Sequence, residues 1–131
     1  MVLYQPEIPA NTGNIARLCG AAEVRLHLIH PLGFRVDDKH LKRAGLDYWY
    51  EVDIRHHVDF ETFLKIKDAE GPARLLAFSS KAQKVYTESE VNHGDYLLFG
   101  KETSAKNLDR IANEKPLVDQ RNVFVKEVLV V

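Results

Sequence analysis

Two short apolar stretches, separated by one helix's worth of chain, constrain this sequence more than any other feature. Val2-Leu3-Tyr4 reads as a buried strand, Asn14 to Ala22 as a helix, and Arg25-Leu26-His27-Leu28-Ile29 as a second strand of alternating polarity. A short crossover carrying a helix favours parallel strands, so this β-α-β unit predicts a layered α/β domain. Arg74 to Phe78 and Tyr96-Leu97-Leu98-Phe99-Gly100 extend the pattern as near-continuous apolar runs, each followed by polar residues, in the manner of buried parallel strands. Two further helices are predicted. Asp37-Asp38 open a basic one with Lys39, His40, Lys42 and Arg43 that ends at Gly45, its charges matched to the helix dipole. Asp59 to Lys67 is the other, with Phe60, Phe63 and Leu64 on one face and Glu70-Gly71-Pro72 as its stop. The segment from Val123 to Val131 has the β-branched composition of a strand and a spacing that also permits a buried helix.

At 131 residues and 45% hydrophobic content the chain can bury one core, so 1–131 is expected to be a single domain. Its 18 Lys+Arg against 19 Asp+Glu give a net charge of −1, so any nucleic-acid contact must come from a local patch or from the combined surface of a dimer. The lone Cys19 excludes an internal disulfide framework and suits a reducing compartment. No apolar run approaches the roughly 20 residues that span a bilayer, and no basic leader precedes Val2. A soluble, cytoplasmic protein is expected.

The stretch Pro6 to Arg17 looks like a site. It combines a strand exit, a polar turn in which Asn11 and Thr12 can cap a helix, a glycine at 13 that permits close approach, and apolar positions Ile15, Leu18 and Cys19 with Arg17 on the buried side. In an open parallel sheet, ligands bind beyond the carboxyl ends of the strands, which makes the loops after Phe78 and Phe99 the expected pocket walls. Spacing alone is also satisfied if Gly100 only turns the chain and Glu102-Thr103 begin a helix. No G-x-G-x-x-G or Walker motif is present. The adjacent His56-His57, and His93, lack any metal-ligand spacing and read as solvated polar residues, and Cys19 falls on an apolar helix side, as core rather than nucleophile. The basic cluster of Arg35, Lys39, His40, Lys42 and Arg43 beside Tyr48-Trp49-Tyr50 has two readings. It can meet phosphates and stack on bases, or it is a solvated helix face with aromatics closing the core.

Several blocks, in order, carry a resemblance. They are Leu3-Tyr4-Gln5-Pro6-Glu7-Ile8-Pro9-Ala10-Asn11-Thr12-Gly13-Asn14-Ile15-Ala16-Arg17-Leu18-Cys19, then Leu26-His27-Leu28-Ile29-His30-Pro31-Leu32-Gly33-Phe34, then Asp37-Asp38-Lys39 with Arg43-Ala44-Gly45-Leu46-Asp47-Tyr48, and finally Gly94-Asp95-Tyr96-Leu97-Leu98-Phe99-Gly100-Lys101-Glu102-Thr103. Together they resemble the SPOUT class of RNA methyltransferases, in particular the small tRNA ribose 2′-O-methyltransferases of the wobble nucleotide, position 34. The resemblance implies a parallel-sheet α/β fold with a C-terminal trefoil knot, S-adenosyl-L-methionine held in the knot loops, tRNA as substrate and a homodimer, with no metal and no membrane. It gives Asn11 and Arg17 the catalytic role, the arginine contacting RNA phosphate or helping to activate the ribose hydroxyl. It places Phe78, Gly100, Glu102 and Leu117 in the cofactor pocket, and makes Lys39 and Arg43 tRNA contacts.

After Thr103 the pattern departs. The family continues with Arg-Gly-Leu-Pro, an Ile-Pro-Met strand and an Arg-Ser-x-Asn-Leu-Ser-Asn motif leading into a final helix; here one reads Ser104-Ala105-Lys106-Asn107-Leu108 and later Pro116-Leu117-Val118-Asp119-Gln120-Arg121-Asn122-Val123. The last knot motif is missing or truncated. Leu117-Val118-Asp119-Gln120 is then the remnant of the third cofactor loop and Asn122 to Val131 that of the closing helix, with the sequence joined across absent loops near Ser104-Ala105 and Gln120-Arg121. This leaves an alternative function, a catalytically silent RNA-binding module that keeps Arg17 and the basic helix.

Overall fold

A computed structural model describes residues 1–36, 49–78, 84–85, 90–101 and 125–128. Its strands are β1 (Val2–Tyr4), β2 (Leu26–Ile29), β3 (Ile54–His57), β4 (Leu75–Phe78), β5 (Lys84–Val85), β6 (Tyr96–Phe99) and β7 (Val125–Val128). The helices are α1 (Pro9–Ala21) and α2 (Phe60–Ala69), with a single 3-10 turn at Trp49–Glu51. The described strands form one sheet in the order β3-β2-β1-β6-β4-β7-β5, and each pairing is parallel. The expected α/β class with a parallel sheet is therefore the observed one.

The alternation of side chains along each strand divides the core between the two faces. Val2, Ile29, Leu75, Ala77 and Leu98 pack with Phe60 and Phe63 of α2 on one face, while Leu3, Leu26 and Leu28 pack with Ala16 and Cys19 of α1 and with Trp49 on the other. Buried on both faces, strands such as Leu75-Leu76-Ala77-Phe78 read as continuous apolar runs rather than alternating ones.

α1 begins five residues before the expected Asn14. Ile8 is its extended N-cap, with no side-chain cap, and Pro9 occupies the first turn, where a missing N–H costs nothing and the fixed φ is already helical. The Thr12 amide donates to the Ile8 carbonyl at 3.1 Å, so Asn11 and Thr12 are first-turn residues and not caps. Its buried stripe is Thr12, Gly13, Ala16 and Cys19, small residues that let the helix lie close to the sheet. Leu18 is 59% exposed, and Arg17 is exposed rather than on the buried side.

α2 matches its sequence signals closely. Asp59 caps it, its carboxylate accepting from the Thr62 amide at 2.7 Å, and Gly71 leaves it with φ +122°, a conformation that favours glycine. β3 was not anticipated, because Arg55, His56 and His57 carry no apolar alternation. Val125–Val128 is a strand, registered with Leu76 to Phe78 of β4, and not the remnant of a closing helix. The basic helix, Ser79-Ser80-Lys81, the proposed joins and the segments required for a knot lie outside the described residues.

Candidate active site at the carboxyl ends of the strands

Strands β1, β2 and β3 follow one another outward in one direction, whereas β6 and β4 lie on the other side of β1. The direction of winding therefore reverses between β1 and β6, and a crevice opens beyond the carboxyl ends of the strands at such a point. Register sets what meets there. Leu3 pairs with Phe99 and Phe99 with Phe78, so the chain leaves β1, β6 and β4 at one level. The exits are Tyr4-Gln5-Pro6, Gly100-Lys101 and Phe78. Two of the sequence-predicted pocket residues, Phe78 and Gly100, are thus brought together with the start of the Pro6 to Arg17 motif.

The described strand ends supply part of the lining of the crevice. Phe78 and Phe99 stack with centroids 4.7 Å apart and planes 6° from parallel, each half-buried, offering an apolar wall at the strand ends. On the β1 side Gln5 adopts φ +46°, and its amide donates to the Ile29 carbonyl at 2.9 Å, turning the chain sharply toward α1. The loop after β2 then braces it, with the Gly33 amide donating to the Pro6 carbonyl at 2.9 Å. A Cβ at Gly33 would sit 2.7 Å from the Glu7 Cα, so only glycine admits this approach. Pro31-Leu32-Gly33-Phe34 reads in the sequence as a loop that ends the strand pattern of Arg25 to Ile29. The role of Gly33 needs the neighbouring loop and could not be read locally.

α1 runs back from the crevice along the sheet, its first-turn N–H groups facing the strand ends, where they favour negative charge. Asn11, exposed, stands in that first turn. Arg17 is about 9 Å further along the axis and roughly 120° round it, so the two do not share one helix stripe. Arg17 thus presents its cation from the outer surface of α1 rather than from within the loop. Lys39, Arg43, Glu102 and Leu117 lie outside the described residues.

The histidines divide differently from the sequence reading. His27 and His57 are each 5% exposed, their rings stacked at 5.1 Å, with His27 Nδ1 2.9 Å from His57 Nε2. Burial, and then the neighbouring His57, push His27 down to about 3, and burial also lowers His57, so both are neutral packing groups against Phe63. His57 is therefore not a solvated residue, whereas His93 is exposed. Among the described residues no group of three or more His, Cys, Asp or Glu is placed to hold a metal ion. Cys19 is 1% exposed and burial pushes its thiol up, which suits a core residue rather than a nucleophile.

With this geometry in place, the relation to known proteins is direct. Residues 1–114 match the model of the SpoU rRNA Methylase family. The chain belongs to that family. Among SpoU relatives, the tRNA (cytidine(34)-2′-O)-methyltransferase of Yersinia pestis is 51% identical over 105 residues, covering 79% of this chain and 65% of that protein. The protein of the same name from Escherichia coli strain K12 is 46% identical over 120 residues, 89% of this chain and 74% of its own length. A solved structure concerned with 2-OH methylation of C/U34 on tRNA superposes with a TM-score of 0.81 at 42% identity, covering 99% of this chain and 78% of that one. The chain thus spans 65% of the length of the Yersinia relative. No helix among the described residues is long and apolar enough to cross a membrane.

Proposed function

We propose that this chain is a single SPOUT methyltransferase domain that transfers a methyl group from S-adenosyl-L-methionine to the ribose 2′-oxygen of nucleotide 34 of tRNA, acting in the cytoplasm as a homodimer. The observation that carries the reading is the family match over residues 1–114, which spans both the Asn11 to Arg17 motif and the Gly100 strand end.

The cofactor fits what the crevice offers. The stacked, half-buried Phe78 and Phe99 are apolar surface for a nucleoside, and the backbone at Gly100 leaves the sheet beside them. Phe78 and Gly100, with Glu102 and Leu117, would hold S-adenosyl-L-methionine, which when bound supplies an electrophilic methyl group on its sulfonium. The chain's own residues act on the RNA. A ribose 2′-hydroxyl is a poor nucleophile at neutral pH, so it must be oriented and its proton loss assisted. Arg17 offsets negative charge at the phosphate or at the developing oxyanion, and Asn11 orients the hydroxyl from the first turn of α1. Lys39 and Arg43 add phosphate contacts, whose contribution weakens with salt.

The test is mass spectrometry of tRNA incubated with the protein and methyl-labelled S-adenosyl-L-methionine. Label on the ribose of nucleotide 34 is expected, with Arg17→Ala lowering kcat/KM by roughly 100-fold or more in protein whose folding a melting curve confirms. tRNA binding without cofactor binding or methylation would instead identify the silent RNA-binding module, the reading that the departure after Thr103 favours.

A further inference from the structure

Among the described residues, two that are not glycine have positive φ, Gln5 at +46° and Glu23 at +55°. Glu23 has a local reason. It stands just past the end of α1, where the Val24 amide donates to the Cys19 carbonyl at 2.9 Å, a common left-handed helix ending. Gln5 instead follows a strand and precedes Pro6, a position that favours extended backbone, so a residue with a Cβ takes φ +46° there only at a cost. Backbone bonds hold it on both sides. Its amide donates to the Ile29 carbonyl, and the Pro6 carbonyl accepts from the Gly33 amide, each at 2.9 Å. Neither bond needs a side chain at position 5, and glycine would take this turn without strain. Yet a glutamine stands here, half-buried, and its carboxamide makes no hydrogen bond among the described residues. Strain kept at a candidate site points to use of the strained residue.

We propose that the Gln5 carboxamide oxygen accepts a hydrogen bond from the ribose 2′-hydroxyl of the substrate nucleotide and so aims that oxygen at the methyl group; this rests on the RNA-methylation reading above. The placement supports it. Tyr4 pairs with Ile29 and Leu3 with Phe99, so Gln5 is the first residue beyond β1, at the point where the winding of the sheet reverses. It stands about 7 Å of strand rise past the level of the Phe78–Phe99 stack and one strand, about 5 Å, to its side. Four residues later Pro9 begins α1, whose first turn carries Asn11. Gln5 therefore joins the wall assigned to the cofactor nucleoside to the turn assigned to the RNA, and the attacked oxygen has to lie between those two. The chemistry of the group suits the task. A carboxamide oxygen has two lone pairs and no charge, so it fixes the direction of a hydroxyl without pairing with the sulfonium or taking up the proton. Fixing that direction brings the reacting atoms toward an attack geometry, which is where an enzyme gains rate from positioning.

The experiment measures kcat and the two KM values of the full chain for tRNA and S-adenosyl-L-methionine, in the wild type, Gln5→Gly and Gln5→Glu. Gln5→Gly removes the carboxamide while suiting the positive φ, so its melting temperature should not fall. Its kcat should drop by roughly 10- to 100-fold, with both KM values unchanged. Gln5→Glu keeps an acceptor oxygen at the same reach and should restore most of kcat. An unchanged kcat in Gln5→Gly makes Gln5 a turn residue only and overturns the proposal. So does a raised KM at unchanged kcat, which would assign the side chain to binding of RNA or cofactor instead. A Gln5→Glu protein as slow as Gln5→Gly also overturns it, because the acceptor would then not be what matters. If Gln5→Gly melts early, Gln5→Glu carries the test alone, with kcat near that of the wild type expected and a loss as large as that of Gln5→Gly counting against the proposal. Failure of the wild type to label the ribose of nucleotide 34 overturns the RNA-methylation reading and this inference with it.

Discussion

Thr12 stands at the centre of the motif that first suggested a site, yet its side chain does something other than cap. It is fully buried against the sheet, and its hydroxyl has no hydrogen-bond partner among the described residues. A buried, unpaired hydroxyl costs about 1–3 kcal/mol, whereas valine has the same shape without the polar atom. Thr12→Val is therefore expected to raise stability by about 1 kcal/mol, read as a higher urea midpoint. A lower midpoint would mean that the hydroxyl has a partner in solution. The residue types were plain in the sequence, but their facing was not. Ile15-Leu18-Cys19 and Thr12-Ala16-Cys19 are both acceptable helical stripes, and the closeness of the sheet, which small residues admit, selects the second. The same choice leaves Leu18 and Arg17 in solvent.

Among the elements, α2 was legible because its signals are local. Asp59 accepts from the Thr62 amide, Phe60 and Phe63 fall on one stripe, and Gly71 takes the positive φ beyond the last turn. Removing the cap in Asp59→Ala should cost about 1 kcal/mol, measured by chemical denaturation, with methyl transfer at saturating substrate unchanged. A feature of the same helix was hidden. Lys67 is 3% exposed and its ammonium donates to the Ala73 carbonyl at 2.9 Å, near the helix's negative end. At the start of β4 and β6, Arg74 pairs with Asp95 and also donates to the Glu90 carbonyl at 2.9 Å, holding the 90–95 loop against the sheet. Neither partner of such a pair, 21 residues apart, announces the other. β3 escaped for a similar reason, since Arg55 and His56 point to solvent and His57 is buried only because His27 of β2 and Phe63 of α2 lie over it.

At the scale of the whole molecule, burying His27 and His57 together couples the fold to pH. Each has a lowered pKa when folded, so below about 6.5 the unfolded chain binds more protons and stability falls with pH, the His27 share being lost progressively down to about 3. Arg25 and Arg55 oppose protonation of His27, while Glu70 favours that of His57 without cancelling its burial. The urea midpoint should already drop between pH of about 7 and about 5, before most carboxylates titrate. A flat midpoint across that interval would contradict the buried neutral pair. The sequence by itself determined the layered α/β class and the strands at Val2, Leu26, Leu75 and Tyr96, because apolar runs and turn residues act over a few positions. Only the tertiary structure decided that β6 pairs with β1, that Gly33 braces Pro6, and that Trp49 closes the core. Those outcomes depend on which strands become neighbours, and strand neighbours are chosen by burial and register across the whole sheet rather than by residues adjacent in the chain.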